Sequence, residues 1–394
     1  MNPHIDRYPA PDPSPEALAV APSPDKVQLK DFTRSELDAY LAELGEKKFR
    51  GEQIWNWMYV RLASSFDEMT NLSKSLRTTL NEKCSLHRVS PGQMHPSPDG
   101  AVKCTFVCTD GAEVESVWIP NEDRNTLCVS SQVGCAIGCT FCQTAKMGLL
   151  RNLTVGEIVE QIVHIRRMFP IEKYGRLTNI VMMGMGEPLH NYDNVIKALH
   201  VMTSDKGLNL SNRKVTVSTS GLVNRLQTFG HDTNVNLAVS LNATTNAVRS
   251  EIMPINRRWP IEVLLETLRN IPLQARRRIT FEYVLLGGLT DTLDDADRLA
   301  KLVRGIPAKI NLIPWNPHPG GEFQRPAPGR VGEFVERLRK KDLNVTVRET
   351  RGLDTMAACG QLGKPGLGKR KMGRAVTPPA QDVTGATPVE EAAS

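Results

Sequence analysis

Three absences narrow the field before any motif is read. No run in the 394 residues approaches the roughly 20 consecutive apolar residues of a membrane-spanning helix. The first thirty residues lack the apolar block of a secretory leader. The expectation is a globular protein of the cytoplasm with no membrane partner. A disulfide framework is missing too, because eight cysteines, unevenly placed, are too few to staple a chain of this length. In a reducing compartment, metal binding or catalysis is the better use of such thiols. Large apolar residues are scarce over residues 1–26, which hold seven prolines. That composition cannot offset the entropy of ordering, and 1–27 reads as a disordered lead.

What is present is an α/β pattern. An apolar content of 40% fills a sizeable core, and the net charge of +6 suits a polyanionic partner, although many soluble enzymes are equally basic. Helical spacing from Leu29 to Leu86, carried by Leu37, Leu41 and Leu44 and then by Ile54, Trp55 and Met58, predicts a small helical accessory module over 28–95. Shorter apolar runs at Lys103–Cys108 and Val114–Ile119 predict strands in a β linker over 96–120. From 121 to 363 seven apolar runs alternate with amphipathic stretches: 127–131, 179–183, 214–218, 236–240, 280–286, 310–314 and 345–348. Such alternation implies βαβ units and a parallel sheet, hence a full or partial (β/α) barrel, with an open doubly wound sheet as the second choice. Residues 364–394 turn to Gly, Pro, Lys, Thr and Ala and read as a disordered tail, whose KPGLGKRKMGR either touches RNA or stays solvated, the simpler reading.

Polar signals follow these strands. QVGC (132–135), GMGEP (184–188), STSG (218–221), SLN (240–242) and PWN (314–316) each fall at a predicted carboxyl end, where parallel α/β folds place their sites. In VGCAIGCTFC, Cys135, Cys139 and Cys142 are spaced to take three corners of a four-iron cluster and leave the fourth iron open. Zinc is the competing reading, and with Cys128 as a fourth ligand it makes an RNA-binding module without catalysis. GMGEP lets backbone approach a ligand while Glu187 faces a cation, or else is a plain turn with a helix-capping acid. Ser218, Ser240 and Asn316 are small polar groups able to bond a ribose, a carboxylate or adenine, and each alone is as readily a cap. Cys359, in the AACGQL loop, is a candidate nucleophile, whereas Cys128 in the first strand is as readily a core residue.

The Cys-x3-Cys-x2-Cys spacing, with Phe141 before the last cysteine, resembles the radical S-adenosylmethionine superfamily. TLCVSSQVGCAIGCTFC, VMMGMGEPLHNYDNV, VTVSTSG, LIPWNPHPG and TRGLDTMAACGQL together resemble the RlmN family, and FRGEQIWNWMY resembles its amino-terminal domain. The resemblance implies a [4Fe-4S] cluster, two S-adenosylmethionine molecules per turnover and a one-electron, flavodoxin-like reductant. It implies methylation of adenine carbon 2 in 23S rRNA and certain tRNAs. Carried over residue by residue, it places Cys135, Cys139 and Cys142 on iron, and Gly186, Glu187, Ser218, Ser240, Leu241, Asn242 and Asn316 around S-adenosylmethionine. It makes Cys359 the methyl carrier, Cys128 the thiol that releases product through a transient disulfide, and Glu115 the acceptor of the carbon 2 proton. Without it, Glu115 would read as a solvent-facing strand residue on the same face as Glu113. Asn242 departs from the family's histidine and lacks its titratable ring. A Cfr-like carbon 8 methyltransferase is the nearest rival. For RNA, the basic groups at 276–278, 257–259 and Arg330–Lys341 are candidates that a solvated helix face explains equally well.

Overall fold

The computed structural model describes residue 23 and residues 25–122, 124–274 and 277–363. The tail and most of the lead lie outside the described residues.

The accessory module packs helices α1 (Arg34–Glu43), α2 (Phe49–Tyr59) and α3 (Lys74–Lys83) around Leu37, Leu41, Ile54, Trp55, Met58, Leu76 and Leu80, all buried. Helix α1 starts where Thr33 and Glu36 exchange bonds in a capping box, satisfying two amide donors that the helix cannot. A short parallel pair, Val27–Gln28 with Cys84–Ser85, closes the module. A buried joint ties it to the rest: Glu160 accepts from Lys30 Nζ at 2.8 Å and from the Val89 amide at 2.9 Å, with the His87 and His164 rings stacked nearby.

The main sheet has ten strands: β1 (Val89–Pro96), β2 (Val102–Cys108), β3 (Glu113–Ile119), β4 (Asn125–Cys128), β5 (Leu177–Met182), β6 (Val215–Thr219), β7 (Asn236–Ser240), β8 (Ile279–Leu285), β9 (Ala308–Pro314) and β10 (Val345–Val347). They lie side by side in chain order. From β4 to β10 every pairing is parallel, as a chain of βαβ units requires, and the end strands do not pair with each other. This is a partial (β/α) barrel. All seven predicted runs from 127 onward are its parallel strands. Strand β8 is buried throughout, which explains its near-continuous apolar sequence.

The stretch expected to be a linker at 96–120 instead adds β2 and β3, with β1, to the same sheet as an antiparallel wing. The reason is pairing: β3 finds a full edge in β4, with Val117 opposite Cys128 and Trp118 opposite Leu127. Helices α4 (Val155–Met168), α5 (Tyr192–Thr203), α6 (Val223–Asp232), α7 (Ile261–Arg269), α8 (Leu293–Leu302) and α9 (Arg330–Arg339) cover the sheet's outer face between the parallel strands. Ile158, Ile162 and Ile165 of α4 recur at helical spacing and are fully buried.

Candidate active site

The cysteine loop is hung between fixed supports. After β4, the Ser130 amide donates to Gln161 Oε1 at 2.8 Å, and Gln132–Gly134 pairs antiparallel with Leu149–Asn152. Gly134 sits at φ 78°, and a Cβ there would lie 1.8 Å from the Gly148 carbonyl oxygen, so only glycine lets the hairpin deliver Cys135. The Cys135 amide donates to Gly148, that of Thr140 to Ile252 and that of Cys142 to Cys139. Cys142 then caps the short helix Gln143–Lys146.

These three cysteines line a cavity of about 170 Å³ together with Gly186, Glu187, Ser218, Ser240, Asn242, Asn316 and Cys359. Thus the strand-end motifs converge as expected, except that Leu241 is a core residue behind the wall. Its amide donates to the Glu282 carbonyl and its carbonyl accepts from Arg249 Nε. The spread of the cysteines bears on the metal. Among the described residues, the one His/Cys/Asp/Glu group with three ligand atoms within 4.8 Å of one another is His87, Glu160 and His164. The cysteine triad is wider than that, too wide for the tetrahedral shell of a zinc ion with Zn–S bonds of roughly 2.3 Å. A four-iron cluster, whose cysteine ligands sit on different irons, fits the wider spacing. The spacing favours the cluster over zinc.

Glu187 is held rather than free: its carboxylate accepts from the Leu189 amide at 3.0 Å and the Ser220 amide at 2.7 Å, while burial pushes its pKa up. Gly186, at φ 101°, lies so close to Gln132 that a Cβ would meet that side chain at 2.5 Å. Asn242 has φ 59°, and its amide is engaged by the Val284 N–H and Met253 Sδ. Asn316 donates to the Cys359 carbonyl at 3.1 Å and accepts from Thr350 Oγ1 at 2.9 Å, so its amide holds the cysteine's loop in place.

That loop, outside any regular element, is bolted at both ends. Before the cysteine, Gly352 N–H and Arg351 Nη1 donate to Asp99. After it, the Gln143 amide donates to Gly360 O at 2.7 Å, Thr144 Oγ1 donates to Leu362 O at 2.7 Å, and Gly363 N–H donates to Glu115 Oε2 at 2.8 Å. Two of these anchors are the residues immediately after Cys142. Glu115 is buried, not solvent-facing, and also pairs with Lys103 at 3.3 Å. It lines neither cavity of the site.

A second cavity of about 710 Å³ runs down the barrel's interior from Cys359 to the amino ends of the strands. Met183, Glu282, Ile313, Asn316 and Cys359 line both cavities. Burial raises the Cys359 pKa, and the Arg348 guanidinium is the cation opposing this. Burial, and then the nearness of Cys359, push Cys128 up to about 12, with Arg348 again opposing. Both thiols are free. Glu282, Arg348 and Arg249 were missed in the sequence. Glu282 lies within the apolar run of β8. Arg249 is buried on the helix Asn246–Ile252, donating to the carbonyls of Ser220, Ser240 and Leu241 and so binding the ends of β6 and β7 together.

A half-open parallel barrel, with three cysteines in one loop at the carboxyl ends of its strands, defines a radical S-adenosylmethionine enzyme. The Radical SAM superfamily matches residues 129–303, and the ribosomal RNA large subunit methyltransferase N-terminal domain matches residues 27–86. A crystal structure of a radical SAM methyltransferase from Sphaerobacter thermophilus superposes with a TM-score of 0.82 at 44% identity, covering 85% of this chain and 99% of that one. The dual-specificity RNA methyltransferase RlmN of Geobacter sulfurreducens is 51% identical over 85% of this chain and 92% of its own length. That of Anaeromyxobacter dehalogenans is 49% identical over 90% and 97%. The chain belongs to the RlmN family of radical S-adenosylmethionine RNA methyltransferases, which use a [4Fe-4S] cluster.

Proposed function

We propose that this enzyme methylates carbon 2 of a flipped adenine in 23S rRNA and in tRNA, with Cys359 carrying the methyl group. The observation behind this is the position of Cys359 on the wall shared by the cluster-side cavity and the barrel interior. Carbon 2 is electron-poor and its hydrogen is not acidic, so polar attack on a methyl sulfonium is unavailable to it. Cys135, Cys139 and Cys142 would hold the [4Fe-4S] cluster, which together with S-adenosylmethionine would supply the radical chemistry at this site, two S-adenosylmethionine molecules being consumed per turnover.

Cys359 takes a methyl group at sulfur from one S-adenosylmethionine, which leaves as S-adenosylhomocysteine while the thiol gives up its proton, and Arg348 favours the thiolate that this substitution needs. The S-methyl group then loses one hydrogen atom, and its carbon bonds to carbon 2. The family resemblance assigns the proton leaving carbon 2 to Glu115, whose carboxylate lines neither cavity in this structure. Its bond to Gly363, four residues beyond Cys359, ties it to the same loop. Cys128, giving up its thiol proton, attacks the sulfur of Cys359; the bond from that sulfur to the transferred carbon breaks, that carbon takes up a proton to complete the methyl group, the unpaired electron of the adduct returns to the one-electron donor couple, and the two cysteines are left as the transient disulfide.

RNA access follows from the barrel interior. Arg124, Arg213, Lys214 and Lys309 line it, whereas Arg351 on the same wall is bonded to the Asp99 carbonyl and cations of α9 are engaged elsewhere, Arg337 with Asp297 at 2.7 Å and Arg330 with Glu333 at 3.1 Å. Arg277 likewise donates to Asn236 and to the Asn234 carbonyl. The interior cations therefore bind phosphates, and the target base leaves its stack to enter. A flavodoxin-like protein of the cytoplasm supplies the electron. No helix among the described residues is long and apolar enough to cross a membrane.

Nucleoside mass spectrometry of RNA treated with the reconstituted enzyme, against 2-methyladenosine and 8-methyladenosine standards, tests the proposal. The 2-methyl nucleoside is expected; the 8-methyl product alone would assign the chain a Cfr-like reaction.

A further inference from the structure

A single row of polar side chains crosses the barrel wall. In the sheet register Ser240 of β7 faces Glu282 of β8, Glu282 faces Asn311 of β9, and Asn311 faces Thr346 of β10. Because side chains alternate along a strand, Glu282 points inward while Phe281 and Tyr283 point outward, where Tyr283 stacks on Phe334 of α9. The row is a fixed chain of bonds: Thr346 Oγ1 donates to Asn311 Oδ1 at 3.0 Å, which turns the Asn311 amide so that Nδ2 donates to Glu282 Oε2 at 2.8 Å.

Glu282 is 3% exposed, and among the described residues Asn311 is the one hydrogen-bond partner of its carboxylate. Of the five residues lining both cavities, Met183 and Ile313 are without a hydrogen-bonding head suited to a base, and Asn316 is engaged with Cys359 and Thr350. That leaves a carboxylate with acceptor capacity beside the methyl-carrying cysteine. Its neighbours point it to the barrel interior. Asn311, Arg348 and Lys309, which touch it or act on its charge, all line the larger cavity and none lines the smaller.

We propose that Glu282 accepts a hydrogen bond from the exocyclic amine of the target adenine and thereby turns carbon 2, rather than carbon 8, toward Cys359. The inference rests on the adenine reading above. Carbons 2 and 6 flank the same ring nitrogen, so a bond to the amine on carbon 6 fixes the in-plane rotation of the ring. Carbon 8 then lies on the far side of the bicycle. A cavity of about 710 Å³ has the size of ordinary small-molecule sites, and one placed acceptor in it is enough to orient a planar base.

The test uses the full, cluster-loaded enzyme and two RNA oligonucleotides that differ only in the target base, adenine or unsubstituted purine, which lacks the amine. Wild type should lose roughly 10- to 100-fold in kcat/KM on the purine RNA, the usual cost of leaving a buried charged acceptor without its partner. Glu282→Met, close in volume and apolar, should be slow on adenine RNA and should process both RNAs within about 3-fold of each other. Glu282→Gln keeps an acceptor oxygen and should retain part of the preference. A residue with only a structural role would lower both rates and keep their ratio.

Glu282→Met should still methylate Cys359, because that step precedes the base. The inference is overturned if Glu282→Met keeps the full preference, or if it fails to methylate Cys359, which would assign the carboxylate to S-adenosylmethionine. Wild type that methylates no adenine carbon 2 at all would instead overturn the underlying reading.

Discussion

Replacing Thr144 with valine tests whether the cluster loop positions Cys359. The hydroxyl donates to the Leu362 carbonyl at 2.7 Å in a buried setting, and valine keeps the shape while removing the donor. An unpaired buried carbonyl costs about 1–3 kcal/mol. The equilibrium between docked and released loop therefore shifts by roughly 5- to 150-fold. The neighbouring Gln143 bond to Gly360 remains, so the loop loosens without losing every anchor. Iodoacetamide labelling of Cys359, with Cys359 methylation measured by peptide mass spectrometry, reads the result. Labelling should quicken and methylation should fall, while visible iron-sulfur absorbance stays at the wild-type level. Wild-type labelling and methylation in Thr144→Val would refute the coupling; loss of the absorbance would move the residue's role to the cluster itself.

Gly186→Ala should weaken S-adenosylmethionine binding at least about 10-fold by equilibrium dialysis, because the new Cβ meets Gln132 at 2.5 Å from a left-handed φ of 101°. Arg249→Met should lower the unfolding temperature and S-adenosylmethionine affinity together, since three carbonyls at the ends of β6 and β7 lose their shared donor. Acid should weaken the joint between module and barrel. Burial holds His164 neutral, with its pKa down to about 3 from 6.5, and Lys30 keeps the Glu160 carboxyl well below 4.5. As pH falls the unfolded chain takes up these protons first, so stability is present above about pH 6.5 and is lost toward pH 3. A urea midpoint equal at about pH 7.5 and pH 5 would contradict this.

The barrel was legible because buried parallel strands carry apolar runs in a fixed alternation with helices. Val345–Val347 was found this way even though it is only three residues long. The cysteines and glycines of the site were legible because spacing and backbone freedom are written locally. Glu282 was not: in TFEYVLL a single acid within an apolar run gives no sign that its strand faces a cavity. The antiparallel wing was mistaken for a linker because its membership in the main sheet depends on pairing with β4, a contact between segments rather than a property of either. Asn316 and Asn242 line one cavity with the three cysteines, but which groups their amides bond is a matter of tertiary neighbours. Cations clustered in sequence on α9 are paired with acids, whereas those lining the barrel interior are scattered from Arg124 to Arg351.

The central claim is that the methyl group passes through Cys359. Peptide mass spectrometry of the reconstituted protein after one exposure to S-adenosylmethionine, before RNA is added, tests it most directly. The account predicts one added methyl group on the peptide carrying Cys359, which disappears when RNA is supplied and is absent in Cys359→Ala. An unmodified Cys359 in a preparation that goes on to methylate adenine would contradict it.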